Sequence, residues 1–477
     1  MPKSKVRKYK DLTKNTILFA ISSFGTKILS FLLVPLYTNI LTTSEYGTAD
    51  ILMTTTTLLI VVLTINIADG VLIFAMDKNY RPVEILAFGI KVIVGGESIL
   101  VVLCVICNLS KIIHWPIYYY MFVCGYFAVS ALYQTLSNYL RAIDKVREVA
   151  IGGIVSSIVY IAFNILLLLG SNMGLYGYLV ATIMGPFISS LYCIYVANVS
   201  IRQIMKQHNN AEQIQAMVKY CFPLVFNSIA LWINSCLDRY FVTYFCGVEQ
   251  NGIYSVASKI PVILSTFYTV FSQAWTLSAV KEFDPEDKDS FFSNMYEVYN
   301  AAMSIVCSAL ILINIPLAKG LYAKDFFVAW KYSSVLLLGI FFNSLTAFIG
   351  SFFSATKKSN ILAITTVVSA IINTFLNIVL IPKFGVQGAA VATAIALALM
   401  WFIRMLKLQS LIRLKIHWLR DFVVYILLCL QIIAEHQKGH MYIEQFLIVC
   451  IIIVFFNKPI IKIGRKMKSI IANILGG

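Results

Sequence analysis

About fourteen long apolar stretches follow one another along this chain of 477 residues. Each is long enough to cross the ~30 Å hydrocarbon core of a bilayer as a helix. Only helices and closed barrels satisfy their backbone groups in lipid, and the chain has no short alternating segments of the kind that build barrels. We therefore predict an all-α polytopic membrane protein with spans at 15–41, 47–68, 83–108, 115–140, 149–170, 174–200, 218–244, 252–280, 293–317, 329–355, 360–381, 386–409, 419–434 and 441–457.

The composition agrees with this fold class. Of all residues, 59% are hydrophobic and only 13% are charged, whereas a soluble protein of this size would expose far more charge. The net charge of +16 would also suit a nucleic-acid-binding protein. However, the basic residues are spread over many short loops and form no patch with interleaved aromatic residues, so we predict no nucleic-acid partner.

The basic residues fix the predicted orientation. When the spans are threaded alternately from a cytoplasmic N-terminus, 28 of the 38 Lys and Arg residues fall in cytoplasmic segments or near the cytoplasmic ends of spans, and six fall in outer segments or near the outer ends. Cytoplasmic loops of membrane proteins carry this excess. The first fourteen residues contain six basic residues and no small-residue cleavage site, which predicts a cytoplasmic anchor rather than a removed signal peptide. An even number of spans puts the basic C-terminal tail on the cytoplasmic side as well.

The chain also repeats itself. Gly174-Leu-Tyr-Gly-Tyr-Leu-Val-Ala-Thr182 aligns with Gly385-Val-Gln-Gly-Ala-Ala-Val-Ala-Thr393, and upstream residues match at a constant offset of 213. Spans five and six therefore correspond to spans eleven and twelve. Because six crossings is an even number, the two halves insert in the same direction, as in transporters built from parallel repeats around a central cavity.

The repeat predicts the domain organisation. We expect an N-terminal six-helix lobe over 1–200, a cytoplasmic linker over 201–217 and a C-terminal six-helix lobe over 218–409. Residues 410–477 would add two transmembrane helices and a basic cytoplasmic tail. No loop is large enough to hold a soluble catalytic domain.

Four basic residues inside the predicted spans are candidates for the substrate site: Lys27, Lys91, Arg239 and Lys259. A charge within a span costs roughly 2.5–3.5 kcal/mol on insertion scales, so such residues usually face the bundle interior or a wet cavity. Fixed cations there would offset the cost of moving a phosphate through a region of low dielectric constant. Simpler roles remain open: an acid partner for Lys27, snorkelling for Lys259, a local feature for Lys91 and a local ion pair with Asp238 for Arg239.

Two motifs carry a resemblance to a known family. Thr42-Thr-Ser-Glu-Tyr-Gly47 follows the first span, and Glu249-Gln-Asn-Gly-Ile-Tyr-Ser-Val-Ala-Ser-Lys259 opens the eighth. With the glycine repeat, they resemble the Wzx-type polysaccharide repeat-unit flippases of the multidrug/oligosaccharidyl-lipid/polysaccharide exporter superfamily, over spans one to twelve. The resemblance implies a flippase of the bacterial cytoplasmic membrane that moves an undecaprenyl-diphosphate-linked oligosaccharide by alternating access, for O-antigen, capsule or exopolysaccharide. The implied partners are this substrate, the bilayer, a polysaccharide polymerase and a chain-length regulator.

The same resemblance suggests where the substrate binds. In the related lipid II flippases, basic residues of helices one and eight face the cavity, which implies that Lys27 and Lys259 contact the diphosphate, with Arg239 and Lys91 as further candidates. Helix two departs from that pattern because it has no basic residue and only Asp50 near its start.

A second set of residues predicts an ion site. Asn373 and Asn377 are four residues apart and so share one helix face. Asp238, Asn377 and Thr393 lie at comparable predicted depths, and all offer oxygen ligands. The lipid II flippases have a Na⁺ site on helices seven, eleven and twelve, so we expect no cofactor but a coupling ion, Na⁺ or H⁺. Asn164 and Thr182 hold the matching places in the first half, which equally fits polar helix packing.

Two other functions remain as alternatives. A multidrug or metabolite antiporter of the same superfamily would favour acidic residues for cationic drugs, whereas the in-span candidates here are mainly basic. A membrane-embedded glycan polymerase or ligase would need a sizeable outer loop with catalytic groups, and the outer loops here are short. We therefore predict a transporter and not an enzyme.

Overall fold

The structure is a computed structural model that describes residues 31–111, 114–199, 203, 207, 210–281, 283–356, 358–437 and 441–457. These residues are almost entirely helical and contain no strand, which confirms the predicted all-α polytopic class. The chain divides into two compact units, and the boundary lies between Cys236 and Leu237. We call them the N-terminal unit and the C-terminal unit.

Eight helices begin in the N-terminal unit. They are α1 (Val34–Ile40), α2 (Thr43–Leu63), α3 (Ile67–Met76), α4 (Pro82–Ser110), α5 (Ile117–Ala142), α6 (Val146–Asn164, continued by a π-helical turn over Ile165–Gly170), α7 (Gly174–Ala197) and α8 (Ala211–Cys246). The unit boundary falls inside α8. Residues 211–217, which the sequence predicts as part of the linker, belong to this helix. The division into lobes at 1–200 and 218–409 stays a prediction.

Nine helices follow in the C-terminal unit. They are α9 (Val248–Ala257), α10 (Lys259–Lys281), α11 (Phe291–Leu312), α12 (Asn314–Leu321), α13 (Trp330–Ala355, preceded by a 3₁₀ turn over Lys324–Ala329), α14 (Ser359–Phe384), α15 (Val386–Leu408), α16 (Trp418–Glu435) and α17 (Met441–Phe455). Every predicted span contains a helix, although only the last part of the first span is described.

Fewer helices meet the requirements for a membrane span than the fourteen predicted. Within the described residues, nine helices are long and apolar enough, and the bent pair α9–α10 makes a tenth. The helix α17 is apolar but has only 15 residues. Helix α3 occupies most of a predicted loop. It is separated from α2 by Ile65 and Asn66, whose φ angles of 52° and 53° break the helix.

The motif Thr42-Thr-Ser-Glu-Tyr-Gly47 starts α2 through a capping box. The Thr42 hydroxyl accepts from the Glu45 backbone N–H at 3.2 Å, and the Thr42 backbone N–H donates to the Glu45 carboxylate at 2.9 Å. These two bonds satisfy donors that every helix N-terminus leaves unpaired. The motif is therefore a helix start, which explains its residue types without a ligand.

The repeated glycines have matching structural roles in the two units. Gly174 and Gly385 have φ angles of +51° and +58°, so each makes the left-handed turn between two helices. The second glycine of each motif allows close approach of the preceding helix. An added Cβ would lie 3.1 Å from the Leu167 Cβ at Gly177 and 2.4 Å from the Leu380 carbonyl oxygen at Gly388.

The packing of the repeated hairpins, α6–α7 and α14–α15, also corresponds. An added Cβ at Gly185 would lie 2.8 Å from the Ser156 carbonyl oxygen, and the Ser369 hydroxyl donates to the Ala396 carbonyl at 3.2 Å. The sequence repeat relates Ser156 to Ser369 by an offset of 213 before the turn, and Gly185 to Ala396 by an offset of 211 after it. The sequence repeat therefore describes one helical hairpin that occurs in both units.

Helices α9 and α10 are parts of one broken span. The direction of the chain changes by 41° between the two helices. Pro261 has no N–H to donate to the Ala257 carbonyl four residues earlier, so the helix cannot continue regularly through this point. The Ser333 hydroxyl of α13 donates to that carbonyl at 2.9 Å. The bend thus has a sequence cause, and a neighbouring helix satisfies the freed acceptor.

Candidate functional site

Asp238 is the central residue of the candidate site in the C-terminal unit. It lies on α8 and is 5% exposed. Its Oδ2 accepts hydrogen bonds from the Tyr254 hydroxyl of α9 and, at 3.3 Å, from the Thr393 hydroxyl of α15. Its Oδ1 accepts from the Arg239 backbone N–H at 3.0 Å. Three helices therefore meet at one buried carboxylate.

The two predicted asparagines extend this cluster along α14. The Asn373 side-chain amide donates to the Thr393 hydroxyl at 3.3 Å, and the Asn377 amide donates to the Asn373 Oδ1 at 2.9 Å. Both side chains are buried, with exposures of 1% and 0%. All four residues predicted from the sequence for the ion site thus belong to one hydrogen-bonded group.

The cluster has the donor chemistry of a small-cation site. Carboxylate, hydroxyl and amide oxygens are the ligands that hard cations prefer. The Asn377 Oδ1 is buried and has no hydrogen-bond partner among the described residues. Buried polar atoms in lipid-embedded segments normally have a partner, so an unpaired acceptor beside a carboxylate fits a cation ligand. The residues present therefore suit Na⁺.

The N-terminal unit has the same framework, with no carboxylate at the matching place among its described residues. By the repeat offset, Asn164 matches Asn377 and Tyr160 matches Asn373. Asn164 is fully buried and donates to the Tyr160 carbonyl at 2.7 Å. The Tyr37 hydroxyl donates a hydrogen bond to the Tyr160 hydroxyl at 2.8 Å. The ring centroids of Tyr37 and Tyr178 are 4.8 Å apart. A tyrosine cluster replaces the acidic group here, so the two repeats differ in chemistry at equivalent places.

Lys259 lies at the bend of the broken span. It is the first residue of α10, directly after the break, and its side chain is half-buried. The bend described above fixes the position of its backbone. Lys259 is thus a basic residue at a helix discontinuity inside a predicted membrane span, which is where transporters commonly place substrate sites.

The other predicted cations have different surroundings. The Lys91 ammonium donates to the Gln207 backbone carbonyl at 2.8 Å, which connects α4 to the segment predicted as the linker. Arg239 follows Asp238 and its carbonyl accepts from the Thr243 hydroxyl at 2.7 Å. Lys27 lies outside the described residues. The substrate roles of these residues stay predictions.

Tyr254 is a site residue that the sequence interpretation did not identify. It belongs to the motif that opens the eighth span, but a tyrosine in an apolar span is ordinarily a packing residue. The sequence gives no signal for this role, because Tyr254 lies on α9, before the bend, and its contact with Asp238 on α8 depends on how the two helices pack. Its hydroxyl is the donor that a buried carboxylate needs.

Comparison with known proteins gives the family and the fold. Residues 12–277 match the family model for polysaccharide biosynthesis proteins. The probable low-salt glycan biosynthesis flippase Agl15 of Haloferax volcanii is 26% identical over 212 residues, which cover 43% of this chain and 44% of the relative. An uncharacterised membrane protein of Methanocaldococcus jannaschii is 25% identical over 37% of this chain and 36% of its own length. The matches thus span less than half the length of either relative.

Two solved structures show the fold over most of the chain. The lipid II flippase MurJ in an inward closed conformation superposes with a TM-score of 0.69 at 16% identity, covering 97% of this chain and all of its own. An inward-facing multidrug resistance MATE family transporter of the MOP superfamily gives a TM-score of 0.66 at 11% identity, over 82% of this chain and 98% of its own.

Three of these four proteins are named as flippases or transporters, in agreement with the prediction of a transporter. The resemblance predicted from the motifs is confirmed at the level of family and fold. Because the family model matches more than half of its residues, this chain belongs to the polysaccharide biosynthesis protein family.

Proposed function

We propose that this protein is a flippase that moves a diphosphate-linked oligosaccharide lipid across the cytoplasmic membrane for surface polysaccharide assembly. The family assignment and the named activity of the glycan biosynthesis flippase relative support a glycan substrate. The shared fold with lipid II and multidrug transporters supports alternating access as the mechanism. Cytoplasmic termini, as the basic residues predict, belong to the same proposal.

The observation that carries the proposal is the buried cluster around Asp238. We propose that it binds Na⁺ as the coupling ion, with ligands from Asp238, Thr393, Asn373 and Asn377. The hydrogen-bond donors to this carboxylate are neutral hydroxyl and amide groups, and Arg239 is its cationic neighbour. A bound Na⁺ would add a positive charge in direct contact with the Asp238 oxygens. Because these ligands belong to three different helices, binding would hold α8, α14 and α15 in one arrangement.

Lys259 is the proposed contact for the diphosphate, together with Lys27 as the resemblance implies. A phosphate group within a membrane protein needs fixed positive charge or hydrogen-bond donors, because the surrounding lipid offers neither. The bend places Lys259 at the start of α10, where the positive end of the helix dipole favours a phosphate. This arrangement suits a phosphate better than a cationic drug.

An apolar groove supports a lipid-linked substrate. It has a volume of about 430 Å³ and lies between α13, α15 and α16. Its walls are aromatic and aliphatic, including Phe342, Trp401, Phe402 and Phe422. We propose that it accommodates part of the polyprenyl chain while the head group crosses. The proposed polymerase and chain-length regulator partners rest on the resemblance alone.

The test is complementation of a strain lacking the gene. We expect Lys259→Ala to abolish surface polysaccharide and to cause lipid-linked precursor to accumulate, while Lys259→Arg retains both charge and activity. Lys288→Ala is the matched control, because Lys288 pairs with Glu286 in an exposed loop. Normal glycan display with Lys259→Ala at normal protein level would refute the assigned contact. Unchanged glycan but altered drug sensitivity in the deletion strain would instead favour the antiporter.

A further inference from the structure

A line of buried polar residues runs between α11 and α16, in the part of the chain whose role the sequence left open. On α11, Asn300, Ser304 and Ser308 recur at a spacing of four residues and share one face. All three are fully buried. The facing residues on α16 are Asp421, Tyr425, Gln431 and Glu435. We call this line the α11–α16 seam.

Direct contacts connect the two helices along the seam. At its middle, the Tyr425 hydroxyl donates to the Asn300 Oδ1 at 3.3 Å. Further along, the Ser308 hydroxyl donates to the Gln431 Oε1 at 2.7 Å, and the Gln431 amide donates back to the Ser308 carbonyl at 2.9 Å. This last pair is fully satisfied and divides the seam into two parts.

Each part of the seam ends at a buried carboxylate. At the predicted cytoplasmic end, Asp421 is 2% exposed and accepts from the Arg420 guanidinium at 3.0 Å; Arg420 also pairs with Glu297 at 2.5 Å. At the predicted outer end, Glu435 is 2% exposed. The two carboxylates are fourteen residues apart, or about 21 Å along the helix axis at 1.5 Å per residue.

Glu435 has neutral partners only. Its Oε1 accepts from the Asn314 amide at 2.7 Å, and its Oε2 accepts from the Ser334 hydroxyl. It forms no ion pair with any described residue. An ionised carboxylate buried without a cation is costly, and such a group reduces the cost by taking up a proton.

The surroundings of Glu435 suit both protonation states. The Ser334 hydroxyl can turn to accept a hydrogen bond instead of donating one. The Asn314 Oδ1 is buried and has no hydrogen-bond partner among the described residues. A protonated Glu435 would thus have an acceptor within its present cluster, and the ionised form already has two donors.

Unpaired polar atoms recur along the seam. The Asp421 Oδ2 and the Asn300 Nδ2 are buried without a partner among the described residues, as is the Asn314 Oδ1. The same holds for the Oε1 of Gln445 on α17, which packs against both seam helices. Such atoms ordinarily bind ordered water, and water bound between hydroxyls and carboxylates conducts protons.

The charged and titratable neighbours are few. Near Asp421 they are Arg420, Glu297 and His417, with Tyr296 and Tyr425. Near Glu435, the ring of His436 packs on Trp330 at 5.3 Å. The nearby charged residues of the packed elements, Lys319, Lys331 and Glu444, are exposed. Among the residues that the structure describes, Glu435 is therefore set apart from other charges, whereas Asp421 belongs to an ionic cluster.

We propose that Glu435 binds and releases one proton in the transport cycle, through a hydrated path along the α11–α16 seam that ends at Asp421. Binding converts the carboxylate to the neutral acid, and release returns the proton to water in the seam. The Ser308–Gln431 pair interrupts the path, so that a continuous proton leak is prevented until this contact opens. The inference does not depend on the identity of the glycan or on Na⁺ binding at Asp238.

The first test is infrared difference spectroscopy of the purified protein during a pH titration. The wild type should show a carbonyl band of a protonated carboxylic acid that appears as the pH falls. Glu435→Gln, which keeps an acceptor and a donor for Asn314 and Ser334, should lack this band. Glu444→Gln on the exposed face of α17 is the matched control and should retain it. Identical spectra for the wild type and Glu435→Gln would overturn the proposal.

The second test measures proton flux into liposomes that contain the protein and a trapped pH dye, under a potassium diffusion potential and without substrate. The wild type, whose Ser308–Gln431 pair closes the path, should show a flux close to that of protein-free vesicles, and so should Glu435→Gln. Gln431→Ala, which removes the interrupting pair, should raise the flux above that of the wild type. Equal flux for all three proteins would identify the seam as a static polar contact between helices and contradict the path.

Discussion

At the scale of single residues, the candidate ion site illustrates what a sequence can and cannot show. The sequence groups Asp238, Asn377 and Thr393 by their predicted depths and their oxygen ligands, and the structure brings them into one hydrogen-bonded cluster. Tyr254 was missed because its contact with Asp238 depends on how α9 is oriented relative to α8. A tyrosine in an apolar span gives no sign of a buried carboxylate partner.

Replacing Tyr254 by Phe should weaken the site. The variant removes one of the two hydroxyl donors to the Asp238 Oδ2, and a hydrogen bond to a charged group contributes roughly 1.5–3 kcal/mol. We expect a lower thermal unfolding midpoint and a weaker stabilisation of the protein by Na⁺. Tyr244→Phe, at a ring that is 83% exposed, should change neither quantity. Equal behaviour of the two variants would contradict the assigned contact.

The two repeat-related asparagines provide a comparison within one chain. Both Asn164 and Asn377 are fully buried and have an unpaired Oδ1. If only the cluster around Asp238 binds Na⁺, Asn377→Ala should reduce the rise in thermal unfolding midpoint that Na⁺ causes. Asn164→Ala should lower the midpoint equally with and without Na⁺. Thermal unfolding of both variants in Na⁺ and K⁺ separates these effects. The same loss of Na⁺ dependence in both would indicate a general packing role.

At the scale of elements, the repeated hairpins follow from their glycines. The first glycine supplies a turn with positive φ, and the second removes a side chain where two helices approach. Both roles are visible in the sequence as a repeated Gly-x-x-Gly pattern. The break between α2 and α3 was not predicted, because left-handed geometry at Ile65 gives no compositional signal.

Gly388→Ala should destabilise the α14–α15 hairpin. The new Cβ would lie 2.4 Å from the Leu380 carbonyl oxygen, which is backbone and cannot move without shifting its helix. We expect a loss of about 1–3 kcal/mol, in the range for overpacked sites. Gly320→Ala is the control, since nothing lies within 4 Å of an added Cβ there. A Gly388→Ala protein as stable as the control would refute this close approach.

The bend of the eighth span should depend on Pro261 and Ser333. Pro261→Ala restores a donor for the Ala257 carbonyl, so we expect a straighter span and slower transport with little loss of stability. Ser333→Ala leaves that carbonyl without its hydroxyl donor and should cost about 1 kcal/mol of unfolding free energy. Spin-label distances across the bend would measure the change. An unaltered bend in Pro261→Ala would exclude proline as its cause.

At the scale of the whole molecule, fold class and family could be predicted from the sequence because apolar length and glycine motifs are local signals. The α11–α16 seam could not, since Ser308 and Gln431 are 123 residues apart and their contact depends on the packing of separate helices. The apolar groove was missed for the same reason. Its walls come from three helices, and apolar residues in spans are too common to mark it.

Filling the groove should separate recognition of the lipid from recognition of the head group. Ala398 lines the groove, and Ala398→Trp would occupy much of its volume of about 430 Å³. We expect slower flipping of substrates with long polyprenyl chains and little change for short-chain analogues. Ala398→Ser, which keeps the groove open, should behave like the wild type. Equal loss with long and short chains would argue against a site for the lipid tail.

The central claim is that a cation at Asp238 drives the movement of a glycan lipid. The most direct measurement is flipping of a fluorescent diphosphate-linked oligosaccharide lipid by purified protein in liposomes, with an imposed Na⁺ gradient and a fixed membrane potential. The account predicts that the Na⁺ gradient accelerates flipping and that Asp238→Asn removes this acceleration. Flipping at the same rate with and without Na⁺, in both proteins, would contradict the account.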